Sequence, residues 1–233
     1  MRHLSIGALI DKEDAFEIVR DKLGLILATE SAAQQALATA GGEDPDLWKL
    51  RVYIERSNPW EAFRGAPSDR SPIVNVRVDN IDFPKSKGNV VSRQEATTTY
   101  NIDVYGLGVS ADVIAGGHTP GDSGAALTVH RGVRLVRNIL MAAHYVYLDL
   151  EYTNGDRVVS GRWMRTIPMY QPQIDNRAIE QVYAARLALD VSFNEYSPQV
   201  TDEHDVLELI SVDVKRTGDG QIIAEADFDY STP

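Results

Sequence analysis

Residues 122–150 read DSGAALTVHRGVRLVRNILMAAHYVYLDL, and the spacing of their apolar side chains decides the fold. Val129, Val133, Val136, Leu140, Ala143, Tyr147 and Leu150 follow one another at intervals of four, three, four, three, four and three residues. A helix turns once per about 3.6 residues, so these positions form one sustained apolar stripe. The spacing predicts a helix from about Asp122 to Leu150, long enough to lie across a whole sheet. Asp122 or Ser123 would cap its free backbone N–H groups, and Asn154-Gly155 predicts the following turn.

Upstream, a glycine-rich stretch of small residues, Gly106 to Gly121, reads as a loop. Before it come three segments with period-two alternation: Leu50, Val52 and Ile54; Val74, Val76 and Val78; Tyr100, Ile102 and Val104. Alternation of this kind marks strands with one face on a core and the other toward solvent or a partner. Between the first two lies a long loop, Ser57 to Ser71, carrying Pro59, Trp60, Phe63 and Pro67. Its two large aromatics have two readings, folded over the core or serving as contact residues. Asp11 to about Ala38 reads as a second long helix, capped by Asp11, stopped by Gly41-Gly42, with Ala15, Ile18, Val19, Leu23 and Ile26 on its apolar face. Downstream, Arg157 to Met169 reads as a strand with Trp163, and Tyr183, Ala185, Leu187, Leu189, Val191 and Phe193 alternate in another. Ile210, Val212 and Val214, then Thr217-Gly218-Asp219-Gly220, then Ile222 to Phe228 predict a hairpin. The architecture that follows is α+β: a mixed, largely antiparallel sheet with two long helices packed on one face. A single domain over residues 1–233 is expected, with the 57–71 loop and the 205–230 hairpin as elaborations.

The chain has 233 residues, 43% of them hydrophobic, which suffices for one full core. No apolar run approaches the roughly 20 residues needed to span a bilayer, and Met1-Arg2-His3-Leu4-Ser5 has no signal-peptide pattern. A soluble protein made in a cytoplasm is expected. The absence of cysteine excludes disulfides, thiolate zinc sites and cysteine nucleophiles. The formal net charge of −11 is the opposite of what a protein gripping DNA phosphates carries.

Gly121-Asp122-Ser123-Gly124 resembles the sequence around a chymotrypsin-like serine nucleophile. That chemistry needs a histidine base and a buried aspartate upstream, and only His3 and His118 precede Ser123. A helix start is the better reading. His130, His144 and His204 form no metal-binding spacing, and Asp202, Glu203, His204 and Asp205 read as a solvated acidic loop. No phosphate loop or dinucleotide fingerprint is present, so no catalytic residue, cofactor or metal is expected. Arg131, Arg134 and Arg137 recur every three residues on the long helix. They read either as a solvated face or as a contact with carboxylates of a neighbouring subunit. Together with Trp60 and Phe63 they are the expected assembly contacts.

Two stretches carry a resemblance: Thr99-Tyr100-Asn101-Ile102-Asp103-Val104-Tyr105-Gly106, with Val133 to Leu140 after it, and Ala185 to Gln199. Their pattern, in the order helix, strands, long helix, strand pair, is similar to the neck and tail-terminator proteins of tailed bacteriophages. The resemblance implies a tail-terminator-like fold and a structural virion protein rather than an enzyme. It implies a homo-oligomeric, hexameric ring that caps the tail tube, ends its polymerisation and docks the tail to the head connector or collar. The sheath is a further partner in contractile tails. Double-stranded DNA would pass through the lumen without sequence-specific binding, which an acidic surface suits. Another neck position, such as a connector or collar subunit, and a binding module outside any virion are the competing readings.

Overall fold

The computed structural model describes residues 12–65, 69–84, 93–108, 111–113, 117–151, 157–172, 182–196, 211–215 and 222–226. The chain divides into two compact units. One comprises Glu13–Tyr196. The other comprises Met1–Lys12 with Ser197–Pro233, and its described part includes an antiparallel pair, Ser211–Lys215 and Ile222–Ala226, where the sequence predicts a hairpin.

The larger unit is α+β. Helix α1 spans Ala15–Ala40. Asp14 opens it, its backbone N–H donating to the Glu17 carboxylate at 3.1 Å, and Gly42 closes it at a φ of 75°, a conformation suited to glycine. Asp14 thus takes the place the sequence gives to Asp11, which lies outside the described residues. Strand β1 (Arg51–Ile54) follows, then a single helical turn α2 (Ala62–Gly65), strands β2 (Ile73–Asp82) and β3 (Arg93–Leu107), and a short antiparallel pair, β4 (Ala111–Val113) and β5 (Gly117–Thr119). That small pair occupies part of the stretch expected to be a plain loop. Helix α3 (Gly121–Met141) leads to β6 (Val159–Met164), β7 (Met169–Tyr170) and β8 (Val182–Tyr196).

The main sheet runs β1-β2-β3-β8-β6, with β7 also on β8. β1 and β2 are parallel and every other pair is antiparallel. Its centre is the pairing of β3 with β8, in register from Arg93 opposite Tyr196 to Leu107 opposite Val182. The expected 157–169 strand is two pieces, because Pro168 has no N–H to give to the ladder.

Alternation sends Val74, Val76, Tyr100, Ile102, Val104, Ala185, Leu187, Leu189, Val191 and Phe193 to one face, where both long helices pack. Helix α1 contributes Val19, Leu23, Ile26 and Leu27, and α3 contributes Val129, Val133, Val136, Ile139 and Leu140. Each such side chain contributes roughly 1.5–3 kcal/mol when fully buried. Ile18, expected on the buried face of α1, is 40% exposed. Two glycines let α3 approach closely. A Cβ on Gly106 would sit 2.6 Å from the Ala125 carbonyl oxygen, and one on Gly132 would sit 2.7 Å from Val104 Cγ1.

The expected extent of α3 needs correction. Its stripe is buried as far as Leu140, but the helix ends at Met141, and Ala142 is extended. A short 3-10 turn over Ala143–Tyr145 follows, and the chain bends through Leu148 and Asp149 at positive φ. Leu148 is completely buried while Tyr147 is exposed, so the core takes a residue off the helical stripe. Pro120 stands at the N-cap; the Asp122 carboxylate accepts from the Ser123 N–H at 2.8 Å instead of capping.

Candidate functional site

The face of the sheet away from the helices has an apolar end and a polar end. At the apolar end, Phe63 is buried with Ile73, Tyr105, Leu107, Val182 and Ala184. Trp60, half-buried, lies with its ring 5.6 Å from that of Tyr105, and the Arg51 guanidinium sits 4.8 Å over the Phe63 ring. The loop aromatics therefore fold over the sheet. Phe63 is enclosed there, and Trp60 keeps part of its ring at the surface.

At the polar end, the residues that alternate with the core carry charge into a buried setting. Asp103 receives both Nε and an Nη of Arg186, at 2.7 and 3.0 Å, and the Arg77 Nε lies 3.5 Å away. The Tyr105 hydroxyl is also 3.5 Å from it. Burial, then the neighbouring Asp103 charge, pushes the Tyr105 hydroxyl well above its ordinary pKa, and the hydrogen bond to Asp103 raises that of Arg186. Asp190 accepts from the Thr99 hydroxyl at 2.7 Å and from Arg165 Nε, and Asn101 donates to Asp79 at 2.7 Å. These carboxylates are engaged by donors, an arrangement that fixes side chains in place and makes them poor candidates for a base. Sequence reasoning reads this face as polar without finding the pairs. Asp103 and Arg186 come together only through the β3–β8 register.

A third feature is a cleft of about 620 Å³ beside the N-terminal half of α3, lined by Lys49, Asp69, Arg70, Gly124, Thr128 and Arg131, among others. Lys49 Nζ lies 2.9 Å from Asp69 and Arg51 Nε 3.9 Å. Burial opposes the charge on Asp69, yet Lys49, the hydroxyl and N–H of Ser71 and the charge of Arg51 together hold its carboxyl down at about 2. The Arg131 Nε, like those of Arg51 and Arg77, is buried with no hydrogen-bond partner among the described residues. Burial lowers its proton affinity, against the pull of the Asp44 and Asp46 charges. Arg134 and Arg137 are exposed. A step of three residues turns back by about 60° on a helix, so the three arginines wind round α3 instead of forming one stripe.

Ser123 is exposed in the first turn of α3, and no histidine bonds its hydroxyl among the described residues. Asp202 to Asp205 lie outside the described residues. Among the described residues, no three side chains are grouped to hold a metal ion, and no helix is long and apolar enough to cross a membrane. Both outer edges of the main sheet are unpaired among the described residues: β1 on one side, β6 and β7 on the other. Beside them Ile54, Trp163 and Met169 are exposed. No protein-family model matches the chain, and no curated protein is significantly similar to it.

Proposed function

We propose that the chain is a structural subunit of the bacteriophage neck. It closes with copies of itself into a ring, a hexamer by the resemblance, that caps the tail tube, ends its growth and joins it to the head connector or collar. The tail sheath would be a further neighbour in a contractile tail, and DNA would pass through the lumen. The observation that supports this best is the pair of sheet edges left open among the described residues, flanked by exposed Ile54, Trp163 and Met169. Unpaired edges next to apolar side chains invite association, and proteins that stay alone usually blunt them. A head-to-tail contact between two different edges closes into a ring when its rotation closes. The acidic balance of the chain suits a conduit that must release DNA.

Light scattering and negative-stain imaging of the purified protein, alone and with tail tubes, test the reading. A closed ring, or a monomer that becomes a ring on tube ends, supports it. A persistent monomer that ignores tubes refutes the terminator role; binding to portal complexes instead would move the subunit to the connector.

A further inference from the structure

We propose that the outward face of α3 holds the acidic C-terminal segment, residues 197–233, of a second copy of this chain; this rests on the ring reading above and adds a contact that uses neither sheet edge. Leu127, His130, Arg134, Arg137 and Met141 are all exposed. They follow one another at steps of three, four, three and four residues, so they line one side of the helix. Leu127 and Met141, each 61% exposed, stand at the two ends of that line, about 21 Å apart at roughly 1.5 Å per residue. The two arginines stand between them, and neither makes a hydrogen bond or an ion pair among the described residues. Residues 123–148 contain no aspartate or glutamate, in a chain with 34 acidic residues. A solvated surface ordinarily intersperses both signs, and this one does not.

Charge and apolar content together select the occupant. From Asp202 to Asp229 the chain carries nine acidic residues against two basic ones, Lys215 and Arg216, a net of −7 out of the whole chain's −11. Within it, Asp202-Glu203-His204-Asp205 runs directly into Val206-Leu207 and then Leu209-Ile210. Carboxylates and aliphatic side chains thus adjoin in the segment, as guanidiniums and aliphatic side chains adjoin on α3. Carboxylates fit the forked guanidinium, and the aliphatic groups cover Leu127 and Met141. A nucleic-acid backbone supplies charge but no aliphatic surface, and the overall charge of the chain repels it. A copy with a basic face and an acidic segment meets its neighbours through two different surfaces, the head-to-tail mode that closes rings.

Sedimentation velocity of the full chain over a concentration series, at low and high salt, tests this. The wild type is expected to associate less at high salt, where exposed charges are screened. Arg134→Glu and Arg137→Glu together are expected to weaken association by at least about tenfold with the melting temperature unchanged, because like charges then face each other. Asp202→Lys, Glu203→Lys and Asp205→Lys together should weaken it as well, and the two sets combined should restore it. Asp82→Lys, which reverses an exposed carboxylate outside the segment, should not restore it. A wild type that assembles, with the arginine variant assembling equally well, overturns the contact and leaves the ring reading standing. Rescue by Asp82→Lys as complete as rescue through the segment overturns it too. A wild type that is monomeric at every concentration, with or without tubes, overturns both readings. If the arginine variant instead loses binding to a short duplex DNA and keeps its association, the occupant is a phosphate and the proposal is wrong.

Discussion

Gly106→Ala is expected to destabilise the protein more than Gly132→Ala, although both add one methyl group to the same helix–sheet contact. The difference lies in what each methyl meets. At Gly106 it would lie 2.6 Å from the Ala125 carbonyl oxygen and 3.0 Å from the Val129 nitrogen. Both are backbone atoms of α3, so relief requires the helix to retreat from β3 by about 0.8 Å to reach the 3.4 Å of ordinary contact. That movement would loosen Val129, Val133 and Val136 together, since all three pack from the same helix. Overpacking of a core costs roughly 1–3 kcal/mol, and a rigid obstacle belongs at or beyond the top of that range. At Gly132 the methyl meets Val104 Cγ1 at 2.7 Å and Pro72 Cβ at 2.9 Å, so a branched side chain and a proline ring must shift, but none of the nearest atoms is a main-chain atom. Alanine also favours the helix over glycine by about 1 kcal/mol, offsetting part of that clash. Urea unfolding followed by circular dichroism reads the contrast. With a slope of roughly 1–3 kcal/mol per molar, a loss of about 3 kcal/mol moves the midpoint down by at least about 1 M, and Gly132→Ala should move it by less than half as much. A Gly106→Ala midpoint equal to the wild type, or a larger loss from Gly132→Ala, would refute the claim that backbone contact sets the spacing of α3 on the sheet.

Four further outcomes are expected. Leu140→Asp should abolish the cooperative unfolding transition, because it places a carboxylate at a fully enclosed position in the α3 stripe; a normal melt would contradict the packing. Asp103→Asn should cost roughly 2 kcal/mol in urea, less than a wholly enclosed ion pair, because Arg186 and Arg77 can turn partly to water. Asp69 is held at about 2 when folded against 3.8 ordinarily, so its contribution is complete above about pH 4 and is lost as pH falls toward 2. Asp69→Asn should therefore narrow its stability gap from the wild type over that interval, as read by urea midpoints at a series of pH values. Trp60→Ala should leave the far-ultraviolet spectrum unchanged and weaken assembly if its exposed part is a contact; a normal ring would leave Trp60 with its packing role against Tyr105 alone.

Much of the fold is legible in single residues. Val74 and Val76, Tyr100, Ile102 and Val104, and Ala185 to Phe193 alternate because one side of each strand meets a core, and burial follows that alternation. The end of α3 is not legible, because Ala143, Tyr147 and Leu150 continue the helical period. What ends the helix is tertiary: Leu148 enters the core, and the chain bends to deliver it. The functional surfaces are less legible still. Arg131, Arg134 and Arg137 look alike in sequence, and only the cleft beside Lys49 and Asp69 separates the first from the others. Asp103 and Arg186 are distant in sequence, so no local pattern announces their pairing.

The central pairing of β3 with β8 has a consequence for how the protein is made. One side of β3 meets β2 soon after synthesis, while the other waits for a partner roughly 75 to 100 residues further along. Until the ribosome has delivered Val182 to Tyr196, the nascent chain carries a long unsatisfied strand with apolar side chains beside it. Translation stalled before β8 would yield a fragment prone to clump, and the yield of sound subunits would depend on how promptly that strand emerges.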